Sequence, residues 1–307
     1  MSERDSIDRP KVLEFLVLAF AIAWIGALLI YLAGIELGTP LWTVLVVVLL
    51  MWAPAYAAIV VQLRRGESIR ARCGLVLGRL RWVALAWLAP VGLLAGTIVV
   101  GTMLPGVEFS ADYGTFLVEQ GLTDEQIEET MAELDAVPVH PIVLFVLLGL
   151  VTGATINALA ALGEELGWRG LLLAELAPLG FWKVSVFTGI VWGIWHAPII
   201  VQGYNFPEAP IAGIAMMTLA TVALSPVYTY LTVRARTVLA ATFLHGSYNG
   251  LGAIAIIYLT GAGNLLIAPV GVAGIGSALL AILACVLHDR YVADEPITTG
   301  RSLRPWE

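Results

Sequence analysis

Three groups of polar residues interrupt long apolar stretches of this sequence, and together they contain the side chain types that hydrolyse an amide bond. Amide hydrolysis needs a base that activates water and donors that stabilise the oxyanion. An ionisable side chain at membrane depth costs roughly 2.5–3.5 kcal/mol on insertion scales, so each group requires a partner or a function. The groups are Glu164, Glu165 and Arg169 in ALGEELGWRG, Trp192 and His196 in WGIWHAP, and His245 and Asn249 in FLHGSYNG.

The first group divides into a pair and a single acid. Glu165 and Arg169 are spaced i, i+4 with the acid first, which is the favourable order for an ion pair on a helix. Glu164 is rotated from Glu165 by about 100° and therefore points to a different surface. The spacing predicts that Glu165 and Arg169 form a structural brace and that Glu164 is free to act.

The other two groups also have helical spacing. His245 and Asn249 are i, i+4 and share one helix face, and Trp192 stands in the same relation to His196 and can pack against its ring. We therefore expect Glu164, His196, His245 and Asn249 to converge in one polar cavity. Depths counted along the helices place this cavity in the cytoplasmic half of the membrane, open to substrate from that side.

These side chains suit metal-free hydrolysis of a peptide bond. Glu164 would take a proton from water and return it to the leaving amine, and His196 would hold the same water. His245 and Asn249 would donate to the oxyanion. The division of roles between the two histidines stays open at this point.

A metal-dependent route is the alternative. Glu164, His196 and His245 could bind Zn²⁺ and leave a position open for water. The helical HExxH signature is absent, and so are the GxGD and GxSG signatures of other intramembrane proteases. No cofactor is the preferred expectation, with zinc as the alternative.

The elements that position these residues must be membrane helices. Charged residues make up 13% of the 307 residues and hydrophobic residues 59%, whereas about 25% of a soluble domain is charged. We expect an all-α polytopic bundle, a single membrane domain over 1–307 with its motif-bearing core at about 141–260. A span needs ~20 apolar residues, and the eight predicted spans are 12–34, 42–63, 82–104, 141–163, 183–202, 211–233, 238–260 and 264–287.

The positions of the cations predict the orientation. All 16 Lys and Arg residues fall at the two termini or in the second, fourth and sixth connections, and the other connections have none. By the positive-inside rule, both termini are cytoplasmic. The sequence thus predicts a multi-pass protein of the cell membrane whose partners are the lipid bilayer and a peptide or membrane-protein substrate, with no nucleic acid.

The longest predicted outside segment, 105–140, is acidic. Thr123 followed by Asp124 and Glu125 is typical of a helix N-cap with carboxylates in the first turn. We expect a solvated helix at the surface of the bundle.

The order EExxxRG, WxxWH and HxxxN resembles the CPBP or Abi family, which includes the type II CAAX prenyl endopeptidases and bacteriocin-immunity proteins. The resemblance covers about 141–260, and Trp192 stands where that family usually has Phe. It implies an intramembrane endopeptidase in which the first motif is Glu164, Glu165 and Arg169, the second His196, and the third His245 with Asn249. The rival interpretations are a non-catalytic immunity or scaffold protein and a proton-coupled transporter. The transporter is disfavoured because no inverted repeat is visible.

Overall fold

Helices account for 74% of the chain. The computed structural model describes residues 6–300 and 302–306. The helices are α1 (Arg9–Leu32), α2 (Pro40–Leu45), a π-helical turn (Val46–Met51), α3 (Ala53–Arg64), α4 (Ile69–Arg72), α5 (Leu80–Gly101), α6 (Tyr113–Glu119), α7 (Asp124–Asp135), α8 (Pro141–Ala154), α9 (Ile156–Glu165), a second π-helical turn (Leu166–Leu172), α10 (Leu173–Leu176), a 3₁₀ turn (Ala177–Leu179), α11 (Phe181–Trp195), α12 (Ala197–Val201), α13 (Pro210–Ala235), α14 (Val238–Tyr258), α15 (Asn264–Ile267) and α16 (Val272–Tyr291). The strands are β1 (Glu108–Phe109) and β2 (Leu259–Thr260).

The predicted all-α polytopic architecture is confirmed. Five helices of the described residues are long and apolar enough to cross a membrane, and there are six if a pair bent by 53° counts as one span. The five are Arg9–Leu32, Pro40–Arg64, Leu80–Gly101, Pro210–Ala235 and Asn264–Tyr291, and the pair is Pro141–Ala154 with Ile156–Leu179.

Two of the eight predicted spans, 183–202 and 238–260, are not among these six. Both correspond to helices that carry site residues. Helix α11 has only 15 residues and ends next to His196. Helix α14 has 21 residues but is not among the five apolar spans, since His245 and Asn249 lower its hydropathy. The count of eight spans and the cytoplasmic location of the termini stay predictions.

Small residues bring α8 and α14 into backbone contact. Gly149 and Gly153 on α8 face Gly246 and Gly250 on α14. A Cβ added at Gly246 would overlap the carbonyl oxygen of Gly153, and one added at Gly250 would overlap that of Gly149. Helices in lipid associate through such small-xxx-small surfaces because apolar side chains gain little by leaving the hydrocarbon. Both helices carry this spacing, so the approach depends on both.

A similar approach joins α11 to α13. Gly189 and Gly193 on α11 lie against the backbone of Thr218 and Val222 on α13. Thr221 donates a hydrogen bond from its hydroxyl to the Gly189 carbonyl oxygen at 2.8 Å. This bond satisfies a hydroxyl within the bundle and fixes the position of α11 along α13.

Helix α9 is oriented by a bend and by a proline. Thr155, with φ −124° and ψ −97°, separates α8 from α9. Further along, a Cβ at Gly167 would overlap Pro54 at the start of α3. The π-helical turn Leu166–Leu172 begins directly after Glu165, and such turns are frequent at functional sites. The bend precedes Glu164 and Glu165 in the chain, and the π-helical turn follows them directly.

The acidic segment 105–140 forms a cap over the C-terminal end of α14, the end that lies beyond Asn249. Strand β1 pairs with β2 in antiparallel register, Glu108 opposite Thr260 and Phe109 opposite Leu259. The predicted N-cap is confirmed, since Thr123 and Gln126 form a capping box at the start of α7. The cap is therefore tied by backbone hydrogen bonds to the helix that carries His245 and Asn249.

Ion pairs join the connections at the opposite end of the bundle. The Lys11 ammonium is 1% exposed and lies 2.5 Å from Glu67 and 2.6 Å from Glu175. Arg234 pairs with Asp289 at the end of α16. Beyond α16 the chain returns across this end, where the Leu303 amide donates to the Ala177 carbonyl oxygen at 2.9 Å.

Candidate active site

A cavity of about 100 Å³ lies between the motif-bearing helices. Glu164, His196, His245 and Asn249, the four predicted catalytic residues, all line it. One water needs roughly 10–15 Å³ of such volume, so the cavity has room for several. The predicted convergence of these four side chains on one cavity is found in the structure.

Glu164 is held by a single indole. Its carboxylate is 2% exposed, and Trp192 donates a hydrogen bond from Nε1 to Oε2 at 2.7 Å. Trp192 also packs against His196 as predicted, with ring centroids 6.0 Å apart. The hydrogen bond to Glu164 was not predicted. The only sign of this hydrogen bond in the sequence is that Trp192 stands where the family usually has Phe, because Phe has no donor.

His196 occupies the junction of α11 and α12, two residues before Pro198. Its Nδ1 lies 2.8 Å from the backbone oxygen of Trp192, and the Trp195 ring meets the imidazole edge-on at 4.8 Å. A carbonyl oxygen only accepts, so Nδ1 carries the proton and Nε2 presents a lone pair. His196 can therefore accept a hydrogen bond from water.

His245 contacts Glu165, one of the two residues of the predicted structural brace. Its Nδ1 lies 2.7 Å from Oε1 of Glu165, and Nη1 of Arg169 lies 3.2 Å from both carboxylate oxygens of Glu165. The predicted ion pair is confirmed, but the contact of Glu165 with His245 was missed. It depends on how α9 crosses α14, which the spacing within either helix does not contain.

The Arg169 guanidinium lies between two aromatic rings. Its Cζ is 4.4 Å from the ring centroid of Trp192 and 4.4 Å from that of Tyr228. Arg169 is 1% exposed, and cation–π contacts are strongest when they are desolvated. The two rings thus position Arg169. Arg169 pairs with Glu165, and Glu165 in turn contacts His245. Tyr228 has no counterpart in the motifs and was not predicted.

Asn249 lies one turn beyond His245 on α14 and lines the same cavity, so the predicted shared face is confirmed. Between them, the Tyr248 hydroxyl donates to the Pro269 carbonyl oxygen at 2.7 Å. Tyr204, from the connection between α12 and α13, is a further lining residue that the sequence did not single out.

The location of the cavity in the cytoplasmic half of the membrane stays a prediction, as does the orientation of the chain. The cavity lining includes Tyr204, Asn205 and Val270, which belong to connections without Lys or Arg, and it includes no residue of the cation-bearing connections 64–81, 177–183 or 234–237. Glu164 lies well before the end of its helical segment. The helical segment continues to Leu179, roughly 20 Å further at 1.5 Å per residue.

The preference for a metal-free site over the zinc alternative stays a prediction. Within residues 6–300 and 302–306, no three His, Cys, Asp or Glu side chains come together so as to hold a metal ion. Nδ1 of His196 and Nδ1 of His245 each have a hydrogen-bond partner, so Nε2 is the nitrogen of each ring that is left for water or another ligand.

Comparison with known proteins finds similarity to a protein family and to one relative. Residues 139–251 match the model of the type II CAAX prenyl endopeptidase Rce1-like family. We call this matched part of the chain, residues 139–251, the Rce1-like segment. The Rce1-like segment contains all four cavity residues as well as Glu165, Arg169 and Trp192. A CAAX prenyl protease 2 from Methanococcus maripaludis is 29% identical to this chain over 128 residues, which are 41% of this chain and 39% of that relative. The match thus spans about two fifths of the length of the curated relative.

Proposed function

We propose that the protein is an intramembrane endopeptidase that hydrolyses peptide bonds of membrane-associated peptides or proteins. The observation that carries the proposal is the convergence of Glu164, His196, His245 and Asn249 on one cavity. The Rce1-like segment supports it, since the family description names an endopeptidase. In this proposal the two histidines differ in role because their Nδ1 partners differ.

Glu164 acts as the general base. One oxygen, Oε2, accepts the Trp192 indole hydrogen bond, which leaves the other oxygen to take a proton from water. His196 holds that water through the lone pair on Nε2, since its Nδ1 proton is bound to a neutral carbonyl. Attack of the water on the scissile carbonyl carbon forms the C–O bond and leaves the negative charge on the carbonyl oxygen. Protonated Glu164 then gives its proton to the amine nitrogen as the C–N bond breaks.

His245 and Asn249 stabilise the oxyanion. The Glu165 carboxylate beside Nδ1 of His245 favours the ring with both nitrogens protonated, because the imidazolium then faces a negative charge. Such a ring donates from Nε2 into the cavity. The Asn249 amide supplies a second donor one turn away. Loss of one such donor typically lowers kcat by ~10²–10³-fold.

The test is cleavage of a peptide library by the protein purified in detergent, with the wild type beside Glu164→Gln, His196→Ala, His245→Ala and Asn249→Ala. We expect the first three to lose turnover while they remain folded, and Asn249→Ala to keep a trace of activity. A chelator should leave the wild type active, and loss of activity that added zinc restores would overturn the metal-free mechanism.

The rival proposal is a non-catalytic immunity or scaffold protein of the same family. A wild type that cuts no library peptide, or equal and mild effects of all four substitutions, would favour it. A matched control is Trp168→Phe, because Trp168 is buried but does not line the cavity, and this variant should cleave like the wild type.

A further inference from the structure

Three arginines lie together where two membrane helices end. Arg79 and Arg81 stand at the start of α5, and Arg236 directly follows α13. Both helices are long and apolar enough to cross a membrane, so these helix ends lie at the boundary between hydrocarbon and lipid headgroups. We call Arg79, Arg81 and Arg236 the arginine cluster.

Backbone contacts hold the two parts of the arginine cluster beside each other. The Arg79 amide donates a hydrogen bond to the Ala235 carbonyl oxygen at 2.7 Å. Gly78 has φ 62° and permits this approach, since a Cβ at that position would overlap the same carbonyl oxygen. The connection before α5 and the connection after α13 are therefore fixed to each other, and their arginines stay neighbours.

The charges of Arg79 and Arg81 are unfavourable for the helix that they adjoin. Arg79 is the N-cap of α5, no side chain caps this helix end, and Arg81 lies in the first turn. The N-terminus of a helix has a partial positive charge, which anions stabilise and cations do not. Helix α7 has the favourable arrangement, with Asp124 and Glu125 in its first turn. The start of α5 thus has the charge that repels a cation and attracts an anion.

The arginine cluster also lacks counter-charges within the protein. Within residues 6–300 and 302–306, none of its three guanidinium groups takes part in a salt bridge. Partial desolvation and then the charges of Arg236 and Arg81 lower the pKa of Arg79, and the opposing effect of Glu295 is smaller. Arg236 has φ 57°, a left-handed conformation that favours glycine. The protein therefore keeps an arginine where glycine would be less strained.

A fourth arginine has a buried donor next to the cluster. Arg234 pairs with Asp289 and donates from Nη1 to the Glu295 carbonyl oxygen at 3.0 Å. Its Nε is buried and has no hydrogen-bond partner in the described part of the chain. The charge of Arg234 also lowers the pKa of Arg79, so the two guanidinium groups are near each other. A ligand of the cluster could satisfy this donor.

We propose that the arginine cluster binds the headgroup of an anionic phospholipid. Guanidinium groups match phosphate oxygens in charge and in hydrogen-bond geometry, and the uncapped amides at the start of α5 favour the same ligand. Basic pockets between membrane helices bind such headgroups. This site lies outside the candidate active site, and its binding does not depend on the proposed endopeptidase function.

The surroundings of the arginine cluster favour a lipid over a free phosphate. Leu77 and Leu80, which adjoin the cluster in the chain, are 73% and 66% exposed. Apolar side chains exposed at a headgroup boundary gain free energy from contact with acyl chains. A phospholipid can contact the guanidinium groups and these leucines together, whereas a free phosphate can contact only the former.

A titration of the full-length protein in neutral detergent tests the binding. Phosphatidylglycerol at roughly 100 times its Kd should raise the Tm by about 5 °C or more. Phosphatidylcholine and free glycerol phosphate at the same concentration should change the Tm little. An equal rise with phosphatidylcholine would overturn the arginine cluster as the cause. A rise with glycerol phosphate equal to that with phosphatidylglycerol would overturn the lipid as the ligand.

A pair of double variants tests which arginines bind. Each arginine near the headgroups contributes a factor of about five in affinity, so Arg79→Gln with Arg81→Gln should raise the Kd for phosphatidylglycerol ~30-fold. The matched control is Arg70→Gln with Arg290→Gln, which also removes two exposed guanidinium groups but leaves the arginine cluster intact. The control should keep the Kd of the wild type. Equal losses in the two double variants would overturn the site, because net charge alone would then explain the binding.

Arg236→Gly separates binding from folding. Glycine suits φ 57°, so without lipid this variant should have a Tm at least as high as that of the wild type. The Kd for phosphatidylglycerol should nevertheless rise ~5-fold, because one guanidinium group is lost. A lower Tm without lipid together with an unchanged Kd would show that Arg236 is structural, and would overturn its place in the site.

Discussion

Hydrogen-bond partners, more than residue type, distinguish His196 from His245. The first contacts a backbone carbonyl and the second a carboxylate. A sequence can name two histidines but cannot give their Nδ1 partners, since each partner belongs to a different turn or helix. The division of roles that was open from sequence follows, in the proposed mechanism, from these two contacts.

The indole of Trp192 is expected to position the Glu164 carboxylate. Trp192→Phe keeps a ring over Arg169 but removes the donor to Oε2 of Glu164. A hydrogen bond to a charged group is worth about 1.5–3 kcal/mol, so we expect kcat to fall ~10–100-fold with KM little changed. Steady-state kinetics on a cleaved library peptide measure this.

Trp168→Phe is the matched control for that substitution. Trp168 is fully buried and its Nε1 has no hydrogen-bond partner, so the same change of ring removes no hydrogen bond. If both variants lost activity to the same degree, packing and not the hydrogen bond would explain the effect of Trp192→Phe.

Arg169 is expected to matter for stability through Glu165. Arg169→Ala leaves the Glu165 carboxylate buried without its cation, and breaking one partner of a buried pair costs ~3–5 kcal/mol. We expect the Tm in detergent to fall by roughly 10 °C. Arg72→Ala is the control, since Arg72 and Glu67 are 53% and 23% exposed and exposed pairs contribute about 0–1 kcal/mol. A similar Tm for both variants would contradict the brace.

Close helix contacts, and not the motifs themselves, bring the three motifs together. The ion pair of Glu165 with Arg169 and the shared face of His245 and Asn249 could be predicted, because each lies within one helix. The contact between α9 and α14 could not be predicted from helical spacing. The neighbouring contact between α8 and α14 has a sequence signal in the facing GxxxG spacings, Gly149 with Gly153 and Gly246 with Gly250, but it becomes specific only when the two helices are known to be neighbours.

Gly246→Ala is expected to separate α8 from α14. The new Cβ would overlap the backbone of Gly153 and Ala158, neither of which can rotate away, and overpacking of this kind costs about 1–3 kcal/mol or more. We expect a lower Tm together with lower activity, because His245 moves with α14. Gly92→Ala on α5 meets nothing within 4 Å and should gain up to about 1 kcal/mol of helix propensity. A neutral Gly246→Ala would show that α8 and α14 have room to part.

The distribution of charge across the whole chain makes a topological prediction. Reporter tags at the N-terminus, within 64–81 and at the C-terminus should be cytoplasmic, and a tag within 107–137 should be external. Protease protection in intact cells and inverted vesicles measures each location. An external tag within 64–81 would reverse the orientation.

The position of Glu164 along its helical segment is a feature that an apolar run alone does not predict. Hydropathy placed the predicted fourth span at 141–163, directly before Glu164. The bend at Thr155 and the continuation to Leu179 put Glu164 well inside a longer helical segment. Apolar runs locate where a chain enters lipid, but they do not give the depth of a residue that lies within a bent pair of helices.

The size of the cavity implies that the conformation described here is closed to a polypeptide. A volume of about 100 Å³ admits water but not a length of polypeptide. The connections tied by Asn264 to Asn205 and by Tyr248 to Pro269 must part before a scissile bond can reach Glu164. For the proposed endopeptidase, this opening would precede each cleavage, as in many enzymes that close over their substrates. A membrane segment that does not bind at the mouth of the cavity would stay uncut, because it supplies no free energy for the opening.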